Sequence, residues 1–338
     1  MRTLFGIGKK VPLLSVIMAS FNHEPFVESA VRSVLGQSLG DLELIVVDDA
    51  SADGTWARLS SISDPRLRLM ALPSNREAHG RNLALQQARG RYIAFQNSDD
   101  IWAPTKLEQQ VALLEANRQA AVCFTQVNII GADGLPLAGT YLDGIFRDSA
   151  LPRLEWLRLF FEKGNCLCLS SAVTPANLMR RVGGFRGRLV QLGDYDLWVR
   201  LAGFGDLLMV EAPLTSMRHT GGGNLSAPSP AAIRRSTIEH KEVLLRFAED
   251  FLARQLADVF PETIDRRLTP DEAVLALALS ARGRSVPHDL FADHVIGAVM
   301  DDAAARANAV QRYGAAFIRD FLTLRTRIET RHVAPGEA

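Results

Sequence analysis

Cysteine pairs, glycine nests, long apolar runs and any excess of one charge are all missing from this chain. Its three cysteines, Cys123, Cys166 and Cys168, are odd in number and form no CxxC pair. That fits neither a disulfide framework nor a zinc site, and it points to reduced thiols in a reducing compartment. Thirty-eight basic residues face 38 acidic ones, so the formal net charge is zero. No global field favours nucleic acid, and no nucleic-acid partner is expected. The opening MRTLFGIGKK has no apolar core of signal-peptide length, and no run of about 18 uncharged apolar residues occurs anywhere. The expectation is a cytoplasmic protein, with peripheral attachment at the inner face of the membrane left open. There is no GxxxxGK[ST] loop, and no GxGxxG follows a strand. This disfavours P-loop nucleoside triphosphatases and dinucleotide-dependent oxidoreductases. Internal repeats and low-complexity tracts are absent as well.

What remains is an ordinary globular composition: 47% of 338 residues are apolar, enough for one large domain or two ordinary ones. Short, mostly apolar and not regularly alternating runs at 13–18, 42–47, 67–72, 92–95 and 121–127 suit strands buried on both faces of a parallel sheet. Between the first two, Val27, Ala30, Val31, Val34 and Leu35 recur at helical spacing. Asn22 or His23 is the expected cap, Pro25 falls in the first turn, and Gly36 and Gly40 mark the end. A later helix opens after Ala103-Pro104 with Leu107, Val111 and Leu114 on one stripe. Such alternation predicts a doubly wound, mostly parallel α/β sheet. Residues 128–225 are less regular: an apolar run at 166–174 with Cys166 and Cys168 at strand spacing, a Gly183-Gly184-Phe185 turn, and a helix over 194–202. Beyond the glycines 221–223 the chain turns Ala-, Leu- and Arg-rich, which predicts an all-helical extension. The expected division is therefore 1–226 and 227–338.

Ligands of open parallel sheets sit beyond the carboxyl ends of the strands. Three predicted strands end in polar clusters: Ala19-Ser20-Phe21-Asn22, then DDASADGT from Asp48, then Asn97-Ser98-Asp99-Asp100. Asp48, Asp49 and Asp53 are also good turn and cap residues, and Asp99 and Asp100 could cap the helix after Pro104. Two separate Asp-Asp pairs at sheet ends favour a shared job over that reading. Burying like charges side by side is costly without a partner. Carboxylates without cysteine or histidine spacing suit a hard divalent cation, magnesium or manganese, whose shell is completed by substrate phosphates. The remaining histidines show no metal spacing and read as surface or capping residues.

LLSVIMASFNHEPFVESAVRSVLGQSLGDLELIVVDDASADGT, GRNLALQQARGRYIAFQNSDDIW and GDYDLWVRL occur in that order. Together they resemble family 2 glycosyltransferases of the GT-A fold over about residues 11–225, and not over the helical extension. The resemblance implies inverting transfer of a sugar from a nucleotide-diphosphate donor, a UDP-sugar foremost, to a glycan, lipid-linked or protein acceptor in polysaccharide or glycoconjugate assembly. It implies that Phe21 faces the base with Asp49 hydrogen-bonded to it, and that Ala19, Ser20 and Asn22 line the same pocket beside Arg81. Asp99 and Asp100 match the metal motif, Asp99 also nearer the ribose, and Asp194 matches the catalytic base. Arg218 and His219 resemble the segment that closes over the diphosphate. Two positions depart from the pattern: Asn97 stands where an aspartate is frequent, and Gly193 where a glutamate is. A catalytically inactive scaffold and a sugar nucleotidyltransferase are the alternatives, the latter disfavoured by the missing glycine-rich phosphate loop. The C-terminal helices mix both charge signs, which favours packing, self-association or partner docking over a basic membrane-surface helix.

Overall fold

A computed structural model describes residues 11–74, 78–146, 149–221 and 229–333, and all five apolar runs are strands in it. β1 (Leu14–Ser20), β2 (Leu42–Asp48), β3 (Leu67–Ala71), β4 (Tyr92–Asn97), β5 (Ile101–Trp102), β6 (Ala120–Ile130), β7 (Val173–Pro175) and β8 (Asp206–Arg218) form one sheet. Their order is β3-β2-β1-β4-β7-β6-β8-β5. Neighbours are parallel except β4 with β7, β6 with β7 and β5 with β8. Val27, Ala30, Val31 and Val34 of helix Val27–Leu35 join one core with the interiors of β1, β2 and β4. Leu107, Val111 and Leu114 of helix Lys106–Ala116 belong to the same core.

A buried charge interrupts the interior of β2. Glu43, buried in β2, accepts hydrogen bonds from Ser15 Oγ (2.8 Å), from the Arg89 amide (2.9 Å) and from the Arg89 guanidinium (2.8 Å). Burial raises its pKa, but the Arg89 bonds more than offset this and hold it below the usual range. The Arg89 turn comes this close only because the next residue is Gly90, whose added Cβ would lie 2.4 Å from the Ser15 nitrogen.

Several local expectations are corrected. The first helix begins at Val27 and is not capped by Asn22 or His23. Asn22 takes a left-handed φ of 52°, and its side-chain oxygen accepts from the Ala52 amide (2.8 Å) across the cleft. Of the run at 166–174, only the last two residues join β7, and Cys166 and Cys168 lie in irregular chain. Backbone carbonyls there are taken by side chains instead of a ladder: Ser170 by Trp102 Nε1 and Ser171 by Gln110 Nε2, each at 2.7 Å. The apolar pattern gives no sign of β8, since Asp206, Glu211 and Pro213 break it up. It gives none of the helices Ala78–Gln87 and Arg153–Lys163 either.

Contacts divide the chain into two compact units, Met1–Arg153 with Asn165–Asn224, and Leu154–Gly164 with Leu225–Ala338. The second is helical among its described residues, including Pro230–Leu244, Pro270–Ala281, Val286–Asp301, Ala303–Tyr313 and Ala316–Val333. Within it the Phe161 ring meets those of Phe247, Phe260 and Phe291 edge-on at 5.1–5.7 Å. An aromatic face of Trp156, Phe160 and Phe161 explains why this segment belongs with the C-terminal helices. His288, expected at the surface, is buried there with its Nε2 2.7 Å from the Phe161 carbonyl. Among the described residues no helix is long and apolar enough to cross a membrane.

Candidate active site

The strand ends that carry the polar clusters are level with one another. Ala19 of β1 pairs with Val47 of β2 on one side and Asn97 of β4 on the other. The loops that leave these three strands therefore face one cleft. In the second cluster Asp48 and Asp53 serve the turn: Asp48 accepts from Ser51 Oγ (2.6 Å), and Asp53 accepts from the amides of Glu24 (3.1 Å) and Thr55 (3.0 Å). Asp49 is buried between them, its amide donating to the Ser20 carbonyl (2.8 Å). Its charge faces Arg81. Asn22 and Ala50, at φ 52° and 63°, flank this point in a backbone region that costs about 1–3 kcal/mol when the residue is not glycine.

Asp99 and Asp100 do different work. Both oxygens of Asp100 are engaged: Oδ1 accepts from the Arg218 amide (2.8 Å), Oδ2 from Asn97 Nδ2 (3.1 Å) and from the Ser170 hydroxyl. Burial and then the neighbouring Asp99 push its pKa up to about 7. Among the described residues Asp99 receives no hydrogen bond from another side chain, and burial moves it to about 6 against the pull of Arg218 and Arg81. Arg218, at the end of β8, is itself a buried clamp. Its Nε donates to the Asp99 carbonyl (2.8 Å), its Nη1 to the carbonyls of Gly131 (2.8 Å) and Ala132 (2.9 Å), and its guanidinium lies 4.8 Å over the Phe26 ring. The resemblance assigned Arg218 to the segment that closes over the diphosphate; here its Nε and its amide hold the turn that carries the two carboxylates, and its Nη1 ties that turn to Gly131 and Ala132.

Arg81 is the hub. The charges of Asp194, Asp99 and Asp49 all act on it and oppose the burial that lowers its pKa. Its Nη2 donates to Asn97 Oδ1 (3.3 Å), and its guanidinium lies 5.9 Å from the Phe185 ring centre. The next residue, Asn82, clamps the Phe185 backbone from both sides, donating to its carbonyl (2.7 Å) and accepting from its amide (2.9 Å). Gly184, at φ 73°, permits that approach, since an added Cβ would lie 2.7 Å from Asn82 Oδ1. Asp194 stands in the first turn of helix Gly193–Ala202, two residues past the cap position, so it is not spent as an N-cap. Its Oδ1 accepts from the Tyr195 amide (2.7 Å) and its Oδ2 from Asn165 Nδ2 (3.1 Å). Burial raises its pKa to about 6, with Tyr195, Arg81 and Asn165 pulling the other way. Asp196 is a buried structural partner of Arg200, whose guanidinium also holds the carbonyls of Val182 and Gly184.

At the rim, Phe21 is 43% exposed, whereas the Ser20 hydroxyl is buried with no hydrogen-bond partner among the described residues. Ala19 is half-buried beside it. His219 meets the Tyr141 ring edge-on at 5.4 Å, and its Nδ1 has no hydrogen-bond partner among the described residues. Of the glycines 221–223, Gly222 and Gly223 lie outside the described residues. His23, expected at the surface or as a cap, sits at the site with Nδ1 2.7 Å from the Ser98 hydroxyl and the Asp100 charge nearby.

Comparisons with known proteins place this geometry. Residues 15–170 match the model of glycosyl transferase family 2. The succinoglycan biosynthesis protein ExoO of Rhizobium meliloti is 30% identical over 268 residues, 76% of this chain and 73% of that protein. The chain belongs to glycosyl transferase family 2. Another relative, the Escherichia coli UDP-Glc:alpha-D-GlcNAc-diphosphoundecaprenol beta-1,3-glucosyltransferase WfgD, is 42% identical over 106 residues, 31% of this chain and 42% of WfgD. The matched stretch spans about half the length, or less, of such relatives. In fold the chain resembles S. aureus TarS 1-349, crystallised with UDP-GlcNAc, with a TM-score of 0.54 at 16% identity over 91% of this chain and 92% of that one. The GT-A-type architecture with C-terminal helices rests on that likeness. For a family 2 member, Asn82, Asn165, Ser170 and Phe185 are the site residues that sequence reasoning missed. Only Asn82 had a local signal, its place in GRN beside Arg81; the others act through contacts 29 to 103 residues away.

Proposed function

We propose that this chain transfers a glycosyl group, with inversion, from a UDP-sugar to an acceptor hydroxyl in the assembly of a bacterial-type polysaccharide or glycoconjugate. The observation that carries the reading is the level ending of β1, β2 and β4, which brings the loops of Asn22, Asp49 and Asp99 to one cleft; the charges of Asp49, Asp99 and Asp194 all act on Arg81 beside it. The Escherichia coli relative, named for UDP-Glc and a beta linkage, supports the donor class and the stereochemistry. In this reading Phe21 stacks on the base and Asp49 hydrogen-bonds it. Ala19, Ser20 and Asn22 line that pocket, and the unpartnered Ser20 hydroxyl is available to the nucleotide.

A divalent cation fits the donor set. Magnesium and manganese take one or two carboxylates and complete their shell with water and substrate phosphates, so Asp99 would be the protein's share of such a site. Asp99 has the oxygens for it; Asp100, first expected to share the task, has committed both of its own. When bound, the cation supplies Lewis acidity to the departing diphosphate. Asp194 accepts the proton of the acceptor hydroxyl as that oxygen bonds to the anomeric carbon and the bond to the diphosphate breaks, a single displacement with inversion. His219, through Nδ1, is placed to hydrogen-bond the leaving group. The test is nucleotide release from UDP-glucose and UDP-N-acetylglucosamine, with manganese or chelator, with and without an acceptor glycan. Acceptor-stimulated release is expected. Nucleotide binding without any release points to an inactive scaffold, and formation of a sugar nucleotide from a sugar phosphate points to the nucleotidyltransferase.

A further inference from the structure

Two donors hold the Asp194 carboxylate, and they differ in origin. The Tyr195 amide comes with the helix and would be there whatever the side chain at 194 did. Asn165 comes from irregular chain 29 residues earlier, two residues past the end of the helix Arg153–Lys163. Its amide has one orientation. Asn165 Oδ1 accepts from the Leu167 amide (3.1 Å), so the NH2 end must face Asp194.

We propose that Asn165 is the positioning residue of the base, fixing the plane of the Asp194 carboxylate and favouring its charged, proton-accepting form. A carboxylate offers about four lone-pair sites. Tyr195 and Asn165 take one on each oxygen, which leaves one on each to meet an acceptor hydroxyl in a set direction. A neutral donor suits this place better than a second cation, because it orients the base without neutralising it. Arg81, from helix Ala78–Gln87, already supplies the nearby positive charge, and the Cys168 thiol faces Asp194 from the Asn165 segment. The inference rests on Asp194 being the base.

The test separates orientation from mere support of the loop. Asn165→Asp is nearly isosteric and keeps the oxygen that accepts from Leu167, but puts an acceptor where Asp194 needs a donor. Asn165→Ala removes both bonds. The Asp194 titration is followed on the full chain by aspartate carboxyl-carbon NMR, its resonance assigned by its loss in Asp194→Asn, so no substrate is needed. The acid limb of transfer from UDP-glucose or UDP-N-acetylglucosamine is recorded beside it. Asn165→Ala should raise the titration by about one pH unit and Asn165→Asp by more, with the limb moving equally. A purely structural role would lower Tm in Asn165→Ala while both variants left titration and limb in place, and that overturns the inference. If Asp194→Asn keeps the limb and the rate, the base reading itself is overturned, and the positioning role falls with it.

Discussion

At the scale of single residues, a carboxylate whose oxygens already accept three hydrogen bonds has little left to offer a cation. That is the position of Asp100, while Asp99 beside it accepts no hydrogen bond from another side chain among the described residues. Asp99→Asn is expected to weaken manganese-dependent UDP binding by ten-fold or more in calorimetry, with Tm nearly unchanged. Asp100→Asn should do the reverse, because its new NH2 meets the donors of Asn97 or Ser170. The cost is about 1–3 kcal/mol of stability, seen as a lower Tm. Equal binding losses in the two variants would contradict the division. Asp194→Asn keeps size but cannot take a proton, so transfer should drop ~10²-fold or more while donor affinity holds. The sign of the pH dependence comes from the same group. Burial raises Asp194 to about 6, and only the ionised form is a base, so transfer should fall as pH drops through about 6 and level off above it. A rate that stayed flat from pH 5 to 8 would rule this out.

At the scale of elements, the second unit contains a pair of histidines that couples helix packing to pH. His240 on Pro230–Leu244 and His288 on Val286–Asp301 lie with ring centres 5.9 Å apart. Burial, and then His288, lower His240 to about 4, and burial lowers His288 as well. A depressed histidine contributes stability that is present above its unfolded pKa of about 6.5 and is lost as pH falls toward the folded value. For the partly buried His240 this amounts to about 1–2 kcal/mol between pH 7.5 and 5. His240→Gln should therefore show a smaller fall in Tm over that range than the parent, the carboxylates of the sheet unit being common to both. Parallel Tm curves would count against the coupling.

At the scale of the whole molecule, the helical unit takes one of its helices from the middle of the chain. Trp156, Phe160 and Phe161 are fully buried, and Phe161 packs on rings that all lie beyond residue 245. A chain ended at Ser226 keeps those three aromatics and loses the rings that cover Phe161. Exposed aromatic surface of that size promotes association. The truncated chain is expected to aggregate or to elute well above its monomer mass in size-exclusion chromatography with light scattering. A soluble monomer with the parent's near-ultraviolet dichroism would show that the segment 154–164 stands without its partners.

The sequence by itself determined the features that short-range pattern can carry. The mostly apolar runs that become β1, β2, β4 and β6 suit strands buried on both faces, whereas β3, broken by Arg68, is a half-buried edge strand. The helix faces of Val27–Leu35 and Lys106–Ala116 come from spacing alone. The cleft, too, was legible, because parallel strands put their carboxyl ends on one edge of the sheet, and the motif order pointed to the family before any coordinates. Tertiary structure decided the rest. β8 mixes charges and proline into its strand and is held by pairing with β6, which no local window contains. Whether Asp99 or Asp100 is free for a ligand depends on Ser170 and Arg218, 70 and 118 residues further along the chain. Nothing within a few residues of Asn165 signals that it will meet Asp194. Hydrogen-bond partners of a buried carboxylate are chosen by three-dimensional proximity, and the periodicity of a sequence does not encode it.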